Sequence, residues 1–143
     1  MPKVLQINVS ANWGSTGRIA EGINLAAQKS GWDTYIAYSR IANSSSSNLF
    51  RIGNKFDVLF AVLETRLLDR AGLSMRRATR ELIKFIELSR PDIIHLHNIH
   101  GYVLNYDILF GYLNNTDVKV VWTFHDFWAI TGHCFHFCGI GCY

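Results

Sequence analysis

The sequence predicts an α/β domain, a three-layer Rossmann-like unit with a mainly parallel sheet and helices on both sides. Three observations carry this. Short β-branched runs alternate with stretches of helical periodicity along the chain, and parallel strands need crossover connections that pack on the sheet as helices. The first run passes into a glycine-rich loop and then a helix start, forming a β-loop-α unit. Polar residues gather in three sets just after predicted strands, where an open parallel sheet binds its ligands.

Lys3 to Val9 (KVLQINV) reads as the first strand, and Ser10 to Gly17 has turn composition. Ile19, Ile23, Ala26 and Ala27 then recur at helical spacing, with Ser15 or Thr16 placed to cap the start and Gly31 to take the left-handed position after the end. Asp33 to Tyr38 is a second strand. Ile41 to Asn48, with four consecutive serines, reads as an exposed, mobile loop. Lys55 to Arg70 places Phe56, Leu59, Phe60, Leu63 and Leu67 on one face of an amphipathic helix, and Ser74 to Ser89 repeats the pattern with Met75, Ala78, Leu82 and Ile86. Pro91 stops that helix, Asp92 to His97 is the next strand, and Tyr106 to Leu113 a short helix. Val118 to Phe124 is apolar enough to predict a central strand buried on both faces. From His125 to Tyr143 no element is predicted, so the domain reads as interrupted, a fragment.

A chain of 143 residues that is 49% hydrophobic and 17% charged, with two prolines, has the composition of one packed domain spanning 1–143 and excludes a disordered or fibrous chain. Its longest strongly apolar stretch, Phe56 to Leu63, is interrupted by Asp57 and falls short of the roughly 20 residues of a membrane span. The N-terminus enters the first strand without a cleavable signal, which places the protein in the cytoplasm with Cys134, Cys138 and Cys142 as thiols. The net charge of +3 is concentrated. Residues 64–90 hold seven basic groups against four acids, and the remainder balances. Within that segment Arg76, Arg80 and Lys84 form an i, i+4, i+8 stripe, either a solvated face or a contact for an anionic partner such as a phosphorylated lipid carrier or a membrane surface. No broad nucleic-acid-binding surface is expected.

The loop at Gly14, Ser15, Thr16 and Gly17 suits an anion, because glycines let backbone approach closely and the amides of Gly17, Arg18 and Ile19 open the helix at the positive end of its dipole. It is neither a dinucleotide fingerprint nor a nucleoside-triphosphate loop, since Tyr38-Ser39-Arg40 offers no ribose-binding acid and no GK[ST] is present. His95 and His97 share one strand face, as zinc ligands often do, but Ile99 stands where a binuclear hydrolase needs a carboxylate. The plain reading makes His95 a buried core histidine and leaves His97 at the sheet edge, with His97, Asn98 and His100 as ligand contacts the alternative. His125 ends a strand, where Asp126 would orient its ring or raise its pKa. The three cysteines lack the paired spacing of a zinc site. No metal or cofactor is expected.

The segments KVLQINVSANWGSTGRIAE, RPDIIHLHNIHGYVLNY and VVWTFHDFWAITGHC…GC together resemble the N-terminal, acceptor-side domain of family-four glycosyltransferases of the GT-B fold, of the bacterial capsule and exopolysaccharide type. The resemblance implies half of a GT-B fold and a retaining transfer from a nucleotide diphosphate sugar to a glycan or lipid-linked acceptor. It implies that Gly14 to Gly17 lie against the donor diphosphate and that His125 approaches the donor sugar. The second domain of such enzymes holds the nucleotide and neutralises the leaving diphosphate. Without it this chain is expected to be inactive or nearly so. A free-standing sugar- or phosphate-binding module is the second reading, and a zinc hydrolase on His95, His97 and His125 the third.

Overall fold

The structure is a computed structural model and describes residues 1–68, 70 and 72–131. Its chain order is β1 (Lys3–Asn8), α1 (Gly14–Lys29), β2 (Asp33–Tyr38), β3 (Asn48–Arg51), α2 (Lys55–Leu68), α3 (Arg76–Ser89), β4 (Ile93–Leu96), α4 (Tyr106–Leu113), β5 (Lys119–Trp122) and a short α5 (Trp128–Thr131). The five strands form one all-parallel sheet in the order β3-β2-β1-β4-β5. This is the predicted Rossmann-like α/β architecture. β1 lies at the centre, so both of its faces are covered.

Strand alternation gives those faces different chemistry. Leu5 and Ile7 of β1 join Ile94 and Leu96 of β4, and this face packs on Ala78, Leu82 and Ile86 of α3 and Leu109 of α4 in a hydrocarbon core. The opposite face carries Gln6 and Asn8, and α1 covers it through hydrogen bonds as well as through Ala20. Asn24 of α1 accepts from Gln6 and donates to Ser47 Oγ, and Glu21 accepts from Ser45 and Ser46. The serine-rich segment is therefore fastened to α1 through Ser45, Ser46 and Ser47, with Ser47 buried and most of the rest exposed, as its composition predicts. β3 follows directly and was missed because its four residues are too few to show alternation.

α1 starts at Gly14, after Trp13 in extended geometry and without a side-chain cap, so neither Ser15 nor Thr16 caps it. Its end is as predicted. Gly31 takes φ +79°, its N–H donates to Gln28 C=O, and Trp32 N–H reaches back to Ala27 C=O, the paired bonds of a Schellman motif. α3 buries Ala78, Thr79, Leu82 and Ile86, and Asn105 caps α4 by accepting from the Ile108 N–H.

Two burial expectations are overturned. β5 pairs only with β4 among the described residues, and Val120 and Val121 are exposed, so it is an edge strand and His125 does not end a central one. Apolarity alone does not distinguish an interior strand from an uncovered edge. In α2 the predicted stripe of Phe56, Leu59, Phe60, Leu63 and Leu67 faces outward, while Ala61 is buried. This helix is apolar on both sides, and the smaller side chains took the core. Cys134, Cys138 and Cys142 lie outside the described residues.

Candidate functional site

All five strands run in one direction, so the segments after β1, β4 and β5 emerge at one edge of the sheet. A narrow cleft of about 10 Å³, room for about one water molecule, opens there, lined by His97, Asn98 and His100 after β4 and by Phe124, His125 and Asp126 after β5, with Trp122 and Trp128 beside them. Five of the predicted residues, His97, Asn98, His100, His125 and Asp126, thus share one site. Gly14 to Gly17 are not among its lining residues. The glycine loop is tied to it through Asn8, whose Nδ2 donates to Thr16 Oγ1 at 3.3 Å and whose Oδ1 accepts from the Asn98 N–H at 3.3 Å.

Because α1 begins at Gly14, the amides left free at its first turn start there, three residues earlier than the sequence indicated; those of Arg18 and Ile19 fall within the helix. No acidic side chain occupies that turn, so the positive end of the dipole keeps its attraction for an anion. Gly17 sits against the loop. A Cβ there would lie 2.8 Å from Ser10 Oγ and 3.2 Å from Ser10 O. At Gly14 a Cβ would meet nothing within 4 Å, so the space above the loop is open.

The histidines exchange the roles expected of them. His97 is the buried one, 2% exposed, and His95 is half-buried with Nε2 2.8 Å from Thr123 Oγ1. A hydrogen-bond chain fixes the protons. Gln6 Nε2 donates to Ala20 O and Asn24 Oδ1, which leaves Gln6 Oε1 as the acceptor facing His97 Nε2 at 2.5 Å. His97 Nε2 therefore carries hydrogen. Burial, with repulsion from His95 and His125, pushes the His97 pKa down to about 3, so the ring is neutral and its Nδ1 accepts. The donor is His125 Nε2, 2.9 Å away. His125 is thereby held with Nδ1 as its acceptor nitrogen, which can take a hydrogen bond or a proton from a bound molecule.

Asp126 does not orient His125. Its Oδ2 lies 2.9 Å from His100 Nε2 and its Oδ1 accepts from the Trp128 N–H. Its charge favours protonation of His125, but burial prevails and lowers the His125 pKa. The described residues assemble no group of three or more His, Cys, Asp or Glu able to hold a metal.

Sequence reasoning missed Gln6 and Asn8, both fully buried. The signal was present in KVLQINVS, where Gln6, Asn8 and Ser10 alternate with Leu5, Ile7 and Val9. A polar row on a central strand marks a face packed by hydrogen bonding.

The chain is 23% identical over 144 residues to WcaC of Escherichia coli (strain K12), a provisionally assigned colanic acid biosynthesis glycosyl transferase. The chain is distantly similar to a glycosyl transferase. The match covers 92% of this chain and 35% of WcaC, so the chain spans about a third of that relative's length. No protein-family model matches the chain, and no solved structure matches it.

Proposed function

We propose that this chain is the N-terminal, acceptor-side domain of a retaining glycosyltransferase that moves a sugar from a nucleotide diphosphate sugar to a glycan or lipid-linked acceptor in exopolysaccharide or capsule synthesis. The likeness to WcaC along 92% of the chain carries the proposal. The site supports it chemically. The bond from the anomeric carbon to the diphosphate oxygen breaks while an acceptor hydroxyl oxygen bonds to the same face of the sugar, its proton passing to the departing diphosphate. The amides opening at Gly14 suit the departing phosphate, and His125 Nδ1 suits a sugar hydroxyl. His97, Asn98 and His100 frame the pocket, and Asp126 fixes His100.

The donor nucleotide would be held by a second domain, so the chain by itself is expected to leave UDP- and GDP-sugars unreacted. The test joins two measurements: the reading frame beyond the codon for Tyr143, and turnover of a panel of sugar nucleotides by the 143-residue chain and by whatever longer product that frame encodes. A frame running on for another domain, with transfer by the long product alone, supports the proposal. A stop directly after Tyr143, with sugar or phosphate binding but no transfer, favours the free-standing binding module.

A further inference from the structure

Asn8 is the last residue of β1, and its side chain is fully buried between two loops of the sheet edge. Its Nδ2 donates to Ser10 O at 2.8 Å and to Thr16 Oγ1 at 3.3 Å, and its Oδ1 accepts from the Asn98 N–H at 3.3 Å. These partners fix which way the amide faces, since Ser10 O can only accept and the Asn98 N–H can only donate. Both Nδ2 hydrogens are thereby used. Thr16 Oγ1 is an acceptor toward Asn8, and its own hydrogen is left for a different acceptor.

Thr16 lies in the first turn of α1, two residues after Gly14, and is half-buried. The open space above Gly14 and the lack of an acid in that turn give an anion both room and favourable charge. On the other side of Asn8, the peptide unit joining His97 to Asn98 is gripped at both of its polar atoms. Its N–H donates to Asn8 Oδ1, and its C=O accepts from Trp122 Nε1 at 3.2 Å. Asn98 and Trp122 line the cleft, and His97 holds His125. One asparagine thus touches both the helix turn and the peptide that carries the histidine pair.

We infer that Asn8 is a positioning residue that couples occupancy of the α1 turn by a diphosphate to the geometry of the histidine cleft. This role rests on the reading of that turn as the seat of the departing diphosphate. An anion there takes the Thr16 hydroxyl hydrogen, which makes Oγ1 a better acceptor for Asn8. The amide passes the polarisation on, and Oδ1 draws the Asn98 N–H closer. The His97–Asn98 peptide moves toward β1, and with it the ring against which His125 is set. The coupling is reciprocal, so a ligand that tightens the cleft also tightens the hold on the anion.

The experiment follows the 143-residue chain by nitrogen-15 NMR during a titration with inorganic pyrophosphate at constant ionic strength. The Gly14 and Ser15 amide signals are expected to move, and the Asn98 amide to move along the same saturation curve. Thr16→Val removes the hydroxyl from a half-buried position and should keep the circular dichroism spectrum. It should weaken pyrophosphate about two- to tenfold, the worth of one hydrogen bond, and silence Asn98 while Gly14 and Ser15 still respond at saturation. Thr16→Ser should restore both. Asn8→Ala should act as Thr16→Val does, and the two Thr16 variants decide the matter if the alanine chain does not fold. An Asn98 signal that ignores pyrophosphate while Gly14 and Ser15 respond would overturn the coupling and leave the diphosphate reading standing. An Asn98 response undiminished in Thr16→Val would also overturn it. No response at Gly14 and Ser15 would overturn the coupling and the diphosphate reading together.

Discussion

His97 and His125 meet nitrogen to nitrogen at 2.9 Å, the buried ring accepting from the more exposed one. The direction of that bond is set on the far side of His97 by Gln6, whose amide is oriented in turn by α1. A strand-interior glutamine thus decides which nitrogen His125 presents to the pocket.

Replacing Gln6 by Leu removes the acceptor of the His97 Nε2–H and the donor to Asn24 Oδ1, and leaves both groups without that partner in a buried site. An unsatisfied buried polar group costs about 1–3 kcal/mol. Urea unfolding of Gln6→Leu should show that loss, and nitrogen-15 NMR should show His125 as a mixture of ring tautomers where the parent chain has Nε2 protonated. An unchanged tautomer ratio would separate Gln6 from the relay.

Acid should weaken the fold through His97. Its folded pKa of about 3 lies below that of an unfolded histidine near 6.5. The unfolded chain therefore binds the proton first, and stability falls as pH drops through the window from about 6.5 to about 3. The loss approaches 1.4 kcal/mol per pH unit, about 2 kcal/mol between pH 6.5 and pH 5. His95 and His125, also lowered, act with the same sign. Denaturant titrations at the two pH values check this, and His97→Gln should flatten the dependence.

Two glycines of α1 should respond oppositely to alanine. At Gly17 a Cβ would lie 2.8 Å from Ser10 Oγ and 3.3 Å from the Asn12 N–H, so Gly17→Ala forces the loop to shift, at a cost of about 1–3 kcal/mol. At Gly22 a Cβ meets nothing within 4 Å, and Gly22→Ala should stabilise the helix by about 0.5–1 kcal/mol. Thermal melts of both variants provide the comparison. Equal shifts would mean that the loop does not depend on close approach at Gly17.

If the proposed transfer is correct, His125→Ala in the full-length enzyme removes a polar contact to the sugar. The loss should be about 2–3 kcal/mol in transition-state binding, or some 30- to 150-fold in kcat/KM. A near-normal rate at unchanged stability would make His125 a structural strand terminus.

The strand and helix alternation was legible because β1, β2, α3 and α4 each combine a clear period with a stop, as Pro91 does after α3. The convergence of His97, His100, His125 and Asp126 was legible too, since parallel strands deliver their following residues to one edge. Pairing within that set was not. Asp126 takes His100, 26 positions away, and leaves its neighbour His125 to His97, because loop geometry rather than adjacency aims a carboxylate. Nor could periodicity say which side of α2 would be buried, as Val58 and Ala61 compete with Phe56 and Phe60 for the core.

The two faces of the sheet impose different rules on how this sequence can drift. On the hydrocarbon side, where Leu5, Ile7 and Leu96 meet Leu82 and Ile86, one aliphatic residue can replace another while volume is kept, and each step is tolerable alone. On the α1 side Gln6, Asn24, Ser47 and His97 form a chain of partners in which any single replacement strands a neighbour. Those four positions are coupled, and substitutions among them should be accepted in pairs. One side of the sheet is free to wander residue by residue, while the other changes only by concerted exchange.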